Sequence, residues 1–271
     1  MSTIISRAPC QIVSALVVLL SLVPFAGCSG PTQATGQPKS AKLVPALPHD
    51  GRLAAVFDLT ESMARAKPDP VSSEDLRPAV EAVAERGGEV RAFFVRGDAT
   101  QQPIIEVTFD AAPPKPVPPA KSGDVFSDAD SSVRFNAKLR AWEREGEERR
   151  DLVRARIDGF LKSIAVEVSR TAMADRTDLA GTIDLVASYL QEPPRVGAAT
   201  PDLVLLAISD GRENARLAVA PKLTEAVTVI VASPTGKSGI FLGLSPKPPL
   251  VFLSRSAAIS HAVALLREVQ P

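Results

Sequence analysis

Cysteine is almost missing from this chain: Cys10 and Cys28 are the two, and both precede residue 29. Everything downstream is thereby without a disulfide framework and without a Cys-based metal or redox centre. Histidine is as scarce. His49 lies in a polar stretch and His261 on the closing helical pattern, so neither a zinc site nor a histidine-based triad has partners. Basic and acidic residues balance at 31 each, and no positive excess is left over for nucleic acid. Aromatic residues are 4% of the chain, too few to build a base-stacking surface. The apolar run Ile12–Val23 falls short of the ~20 residues that a membrane-spanning helix needs. No internal repeat is visible.

What the first fifty residues do hold is the layout of an export signal. Arg7 supplies the positive n-region, Ile12–Val23 the apolar h-region, and Phe25-Ala26-Gly27-Cys28 a small-residue cleavage site ending in cysteine. This stretch resembles a bacterial lipoprotein signal. Ala26-Gly27-Cys28 matches the lipobox, with Phe25 where that pattern usually has Leu. The resemblance implies cleavage before Cys28, a lipid chain on its sulfur, and anchorage in the cell envelope on an extracytoplasmic or periplasmic face. Residues 28–50, rich in Ser, Gly, Pro, Thr, Gln and Lys, read as a flexible tether. Residues 51–271, about 220 in all, are enough for one domain with a sizeable core.

That domain is organised around Leu53-Ala-Ala-Val-Phe-Asp58-Leu-Thr60-Glu-Ser62. Five apolar residues in a row predict a strand buried on both faces, the habit of a parallel strand in an α/β sheet. The run breaks at Asp58, which places a carboxylate at the strand's carboxyl end, where open α/β sheets form ligand sites. Thr60 and Ser62 follow at alternate positions. One acid and two hydroxyls on a tight turn suit a hard cation such as Mg²⁺ better than zinc.

The rest of the chain alternates between the two periodicities. Ser73 predicts a helix cap, with Leu76, Val80 and Val83 on one face and an end at Gly87-Gly88. Glu89–Val95 and Ile104–Phe109 read as strands joined through Arg96-Gly97-Asp98, a hairpin connection rather than an integrin-type recognition tripeptide. Five prolines between Ala111 and Ala120 make a stiff extended linker. From Val133 to about Thr171 a helical pattern carries Phe135, Leu139 and Trp142, then Val153, Ile157, Phe160, Ile164 and Val168. Glu143–Asp151 between them is charged almost throughout and includes Gly146, a possible break. Unbroken, the helix would reach on the order of 55 Å at ~1.5 Å per residue. Residues 111–171 as a whole read as an insertion. A helix follows from Leu179 through Ile183, Val186 and Leu190. Strands are expected at Leu203–Ile208, Val227–Val231 and Leu250–Leu253, and a last helix from Ser256 to about Glu268. Thr235-Gly236-Lys237-Ser238 is too incomplete to be a phosphate loop. The fold class is α/β: a doubly wound, mostly parallel sheet with one antiparallel hairpin strand.

Three segments now fall into line: Asp58-Leu-Thr60-Glu-Ser62, Thr177-Asp-Leu-Ala-Gly, and Ser209-Asp210-Gly211 after an apolar strand. Together they resemble the von Willebrand factor A domain family and its metal ion-dependent adhesion site, whose pattern is D-x-S-x-S, a loop threonine and a strand-ending T-D-G or S-D-G. Thr60 replaces the usual first serine and keeps the hydroxyl. The resemblance implies that Asp58, Thr60, Ser62, Thr177 and Asp210 bind Mg²⁺ (or Mn²⁺ or Ca²⁺), and that the ion accepts an Asp or Glu carboxylate from a protein partner. That is a binding device with no catalytic residue. Two alternatives stay open from the residues: a metal-dependent hydrolase or phosphatase using Asp58, and a metal-free structural lipoprotein. A haloacid-dehalogenase-type enzyme would want a second aspartate where Thr60 stands.

Overall fold

A strand with hydrogen-bonded neighbours on both edges and side chains packed on both faces must be apolar through its middle, and Gly51–Asp58 (β1) meets that condition from Leu53 to Phe57. All eight residues are buried, and its charges stand towards the two ends, Arg52 donating to the Glu192 and Pro193 carbonyls and Asp58 closing the strand. The structure, a computed structural model, describes residues 51–65, 72–170, 177–194, 202–212 and 222–268. The export signal, Cys28, the tether with His49, and Pro68-Asp69-Pro70, whose two prolines predict a turn, lie outside the described residues.

β1 pairs in parallel with Gly88–Val95 (β2) on one edge and with Asp202–Ile208 (β4) on the other, so that Leu53 stands between Val90 and Val204. Ile105–Phe109 (β3) runs antiparallel beside β2. Val227–Ala232 (β5) and Leu250–Phe252 (β6) extend the parallel side. The order is β3-β2-β1-β4-β5-β6, a six-stranded mixed sheet with one antiparallel pair, as the alternation of elements predicts. Side-chain alternation splits the core in two. Leu53, Ala55 and Phe57 face three helices, Arg77–Arg86 (α2), Val125–Ser169 (α3) and Arg255–Arg267 (α5). Ala54 and Val56 face Leu179–Leu190 (α4) and the chain around Leu223, Phe241 and Leu244. The sheet is wound on both sides.

Two local expectations need correction. The cap ahead of α2 is Ser72, not Ser73. Ser72 Oγ accepts the Glu74 N–H and Asp75 returns the bond to the Ser72 N–H, closing a capping box around a 3-10 turn, Ser73–Leu76. Pro78 near the start of α2 then forces no gap in its ladder, since first-turn N–H groups have no helical partner.

The second concerns α3. It begins at Val125, eight residues earlier than the periodicity predicts, and runs 45 residues without a break, about 67 Å. Gly146 does not end it. A helical glycine costs only ~1 kcal/mol against alanine, and both flanks of α3 are held. On one flank Trp142 Nε1 donates to the Pro113 carbonyl, tying the helix to the proline-rich strap. On the other, Ile157, Phe160, Leu161 and Ile164 are buried in the sheet's core. The C-terminal third is therefore a wall of the core, and it is the N-terminal part that stands in solvent.

These two halves differ in what a truncation does. Ile164→Ala is expected to cost about 2–5 kcal/mol by opening a core cavity. Val133→Ala, on a side chain 68% exposed, should stay within roughly 0.5 kcal/mol. Urea denaturation of both variants measures the contrast, and equal costs would mean that α3 packs as one unit.

Candidate functional site

In a sheet of order β3-β2-β1-β4-β5-β6 the winding reverses between β1 and β4, and the crevice beyond the carboxyl ends of those strands is where such sheets take ligands. Asp58 is the last residue of β1, and Ser209 and Asp210 are the first two beyond β4. Parallel pairing brings Phe57 beside Ile208, so the register itself sets Asp58 next to the Ser209-Asp210 turn.

The carboxylate of Asp58 is 2% exposed as a residue and gathers hydroxyls. Its Oδ1 accepts Thr60 Oγ1 at 2.6 Å and the Thr60 N–H at 3.2 Å. Its Oδ2 accepts Ser209 Oγ at 2.7 Å. Thr60 Oγ1 lies 3.2 Å from Ser62 Oγ, at the start of the short helix Glu61–Arg65 (α1). All of these donors are neutral, and among the described residues Asp58 has no cationic partner. Burial pushes its pKa up, the three hydrogen bonds pull against that, and the negative charge of Asp210 adds to the rise.

Asp210 is also buried. Its Oδ1 accepts the Arg212 N–H at 3.1 Å, and the exposed Arg212 guanidinium comes to 3.5 Å of Oδ2. The turn is held by glycine: Gly211 has φ 72°, and Ile240 N donates to its carbonyl. A Cβ on Gly239 (φ 51°) would stand 2.0 Å from that same carbonyl oxygen, so the Gly239–Phe241 turn clamps the Asp210 loop from above only with no side chain at position 239.

Thr177 arrives on a separate element. It is buried directly ahead of Asp178, the N-cap of α4. Asp178 Oδ1 accepts the Gly181 N–H and Oδ2 the Ala99 N–H at 3.1 Å, which ties α4's start to the turn that follows β2. That turn is the Arg96-Gly97-Asp98 segment, and its chemistry is structural. Asp98 caps the Ala99–Gln101 3-10 turn, while Arg96 pairs with Glu167 near the end of α3 at 3.3 Å. His261 packs its ring on Phe252 and, among the described residues, belongs to no cluster of ligands.

Of the five residues that the sequence points to, the structure brings Asp58, Thr60, Ser62 and Asp210 to one crevice, and sets Thr177 at the adjoining helix start. It adds Ser209, which sequence reading passed over. Ser209 Oγ donates to Asp58 and accepts the Gly211 N–H at 2.9 Å, so it locks the two acidic loops together. Its only signal was its place in the Ser-Asp-Gly string. Among the described residues no three His, Cys, Asp or Glu side chains converge on one point. What converges is two carboxylates and several hydroxyls, a donor set that fits a hard, oxygen-seeking cation and does not fit zinc or copper.

Comparison with known proteins finds no matching family model and no matching curated sequence. Solved structures with a similar arrangement include proximal thread matrix protein 1 from the mussel byssus (11% identity, TM-score 0.40, covering 83% of this chain and 50% of that one). Another is a von Willebrand factor type A protein from Catenulispora acidiphila, at 9% identity and TM-score 0.38, covering 81% and 42%. A third is an aerotolerance-related membrane protein from Bacteroides fragilis, at 15% identity and TM-score 0.29, covering 68% and 67%. The chain spans about half the length of the first two.

Proposed function

We propose that this is a cell-envelope lipoprotein whose α/β domain, of the von Willebrand A type, holds one divalent cation and through it binds a carboxylate of a protein partner. The observation that carries the reading is Asp58: a buried carboxylate bonded only to neutral donors, beside a second buried carboxylate. A buried anion without a countercharge is costly. A cation at this point would offset both charges. Thr60, Ser62 and Thr177 would supply hydroxyl oxygens, and Asp58 and Asp210 would act directly or through water. Mg²⁺, Mn²⁺ and Ca²⁺ all accept such a set. Ligation mostly by neutral oxygens leaves the ion able to take an acidic side chain from a partner, and this requires no general base. Ser209 holds the geometry by fixing Asp58. Among the described residues no helix is long and apolar enough to cross a membrane, and attachment rests on the lipid at Cys28.

Wild type is expected to melt higher with Mg²⁺ than with EDTA. At a hundredfold excess over Kd, mass action adds about 2.7 kcal/mol, or roughly 5–10 °C for a domain of this size. Asp58→Ala and Asp210→Ala should each lose that shift. An undiminished shift in Asp58→Ala would remove the site assignment.

The raised pKa of Asp58 has a signed consequence. Native Asp58 binds its proton more tightly than the unfolded chain does. Without metal, its contribution to stability is therefore present below the unfolded pKa and lost as pH rises through the folded value. In EDTA, denaturant melts from about pH 4 to about pH 8 should show this slope in wild type and a flatter profile in Asp58→Asn. The Asn variant should be the more stable of the two at neutral pH. A slope that survives the substitution would place its origin elsewhere.

Cys28→Ser should move the protein from the membrane fraction to the soluble fraction, read by fractionation and by loss of labelling with an alkyne fatty acid. A variant that stays in the membrane fraction and takes up label as wild type does would exclude lipidation at Cys28.

A further inference from the structure

The apolar stripe by which α3 enters the core does not stop at the core's edge. Ile164, Leu161 and Ile157 are buried, and the same helical face continues back through Val153, Gly146 and Trp142. Beside it lies α2, and between the two helices a groove of about 470 Å³ opens, with Ala84 of α2 in its lining. That volume is in the range of small-molecule sites, ~300–1,000 Å³. The groove is long, since its lining runs along α3 from Trp142 to Ile157, or ~22 Å of helix. Its walls are fixed: Arg77 of α2 bonds Asp158 of α3 at 2.8 Å, and Trp142 Nε1 donates to the Pro113 carbonyl at 3.0 Å. With its N–H spent there, the indole offers the groove only carbon surface.

Two features of this lining have no role in the packing. The first is Gly146. A Cβ there would meet no atom within 4 Å, so no close approach demands glycine, and a helix interior disfavours it. What the missing side chain does is keep the middle of the stripe open. The second is Arg149, half-buried in the lining, which among the described residues pairs with no carboxylate. The charges around it leave a positive excess. Among the described residues the lining holds two acids, Glu81 and Glu85, against four arginines. Glu85 is taken by Arg267 at 2.9 Å, and Arg77 by Glu74 and Asp158. Arg149, Arg150 and Arg154 then face Glu81, with Glu147 and Asp151 standing 3.9 and 3.7 Å from the last two arginines.

We propose that this groove binds a single-chain anionic amphiphile, an alkyl chain laid along Trp142, Gly146 and Val153 with its terminal carboxylate on the Arg149 guanidinium. The length of the groove and the gap at Gly146 suit an unbranched chain. The planar guanidinium suits a carboxylate, which it can hold through two parallel N–H bonds. A docked protein helix would instead engage a row of anchor pockets at i, i+3, i+4 and i+7 spacing, and here one glycine opens one gap. The site uses none of the residues of the cation site and is filled equally in Mg²⁺ and in EDTA.

Trp142 is the one tryptophan of the chain, so its fluorescence in the full chain reports this groove. Titration with decanoate, below the concentration at which it forms micelles, should shift the emission to shorter wavelength and saturate. From hexanoate to dodecanoate each added methylene should tighten binding by up to about fourfold. Decanol and decyltrimethylammonium should bind at least about tenfold more weakly than decanoate, for want of the bond to Arg149. Gly146→Leu fills the gap with a better helix former. It should melt no lower than wild type and lose the response. Arg149→Gln should weaken decanoate at least about tenfold and leave decanol unchanged, and Arg149→Lys should recover part of the loss. A wild type that does not respond, or a Gly146→Leu variant that binds as wild type does, overturns the proposal. An Arg149→Gln variant that spares the acid, or weakens acid and alcohol alike, overturns it too. So does a groove that ignores decanoate and takes up an acidic amphipathic peptide, which would make it a protein-docking face.

Discussion

Everything at the candidate site follows from one constraint: β1 is an inner strand, with partners on both edges and helices or loops on both faces. A strand so enclosed is apolar through its middle, Leu53 to Phe57, and charge returns only towards its ends, at Arg52, whose guanidinium reaches the Glu192 and Pro193 carbonyls, and at the last residue, Asp58. Burial of its carboxylate is thus a result of strand position. The order of strands does the rest, because β4 is the neighbour on the other side of the winding reversal and delivers Ser209 and Asp210 to the same crevice. Two acids in a poorly solvated gap repel, and the molecule meets this with hydroxyls. Thr60 and Ser209 give Asp58 its hydrogen bonds without giving it a countercharge. Asp210 has the exposed Arg212 guanidinium at 3.5 Å, while Asp58 is left without a countercharge among the described residues, which is the condition a cation would complete.

The lock between these loops is as much backbone as side chain. Gly211 and Gly239 meet with no room for a Cβ, Ser209 bridges Asp58 to the Gly211 N–H, and Asp178 ties the start of α4 to the turn after β2. None of these groups needs to touch a ligand. They fix the separation between groups that would, and a site assembled from loops depends on such restraints because loops carry little packing of their own.

α3 shows how one helix can serve two environments. Its C-terminal third contributes Ile157, Phe160, Leu161 and Ile164 to the sheet's packing, and its buried Glu167 is paired with Arg96. Its first half is held by a proline-rich strap through a single tryptophan and by a capped tip. Helix propagation is inexpensive once a helix is nucleated, so a core-anchored segment can carry ordered turns well beyond the body of the domain. The charged middle is simply the part of that helix with water around most of its circumference.

The sequence alone determined the elements and their class. Apolar runs of five or six residues, Leu53–Phe57 and Leu203–Ile208, declare fully buried parallel strands, and the acid that ends each one marks the sheet's carboxyl edge. Asp58, Thr60, Ser62, Thr177 and Asp210 were legible for that reason, since each sits where a predicted element begins or ends. Tertiary structure decided what no local pattern contains. Ser209 matters because the β1–β4 register puts its hydroxyl against Asp58, and register is a property of two strands. Glycine at 239 is required by a loop from elsewhere in the chain lying on Gly211. The start of α3, eight residues ahead of the first periodic position, is invisible to periodicity because its first turns face water almost all round and show no apolar stripe. Periodicity reports a helix only where one of its faces is buried, and whether a face is buried is settled by what packs against it.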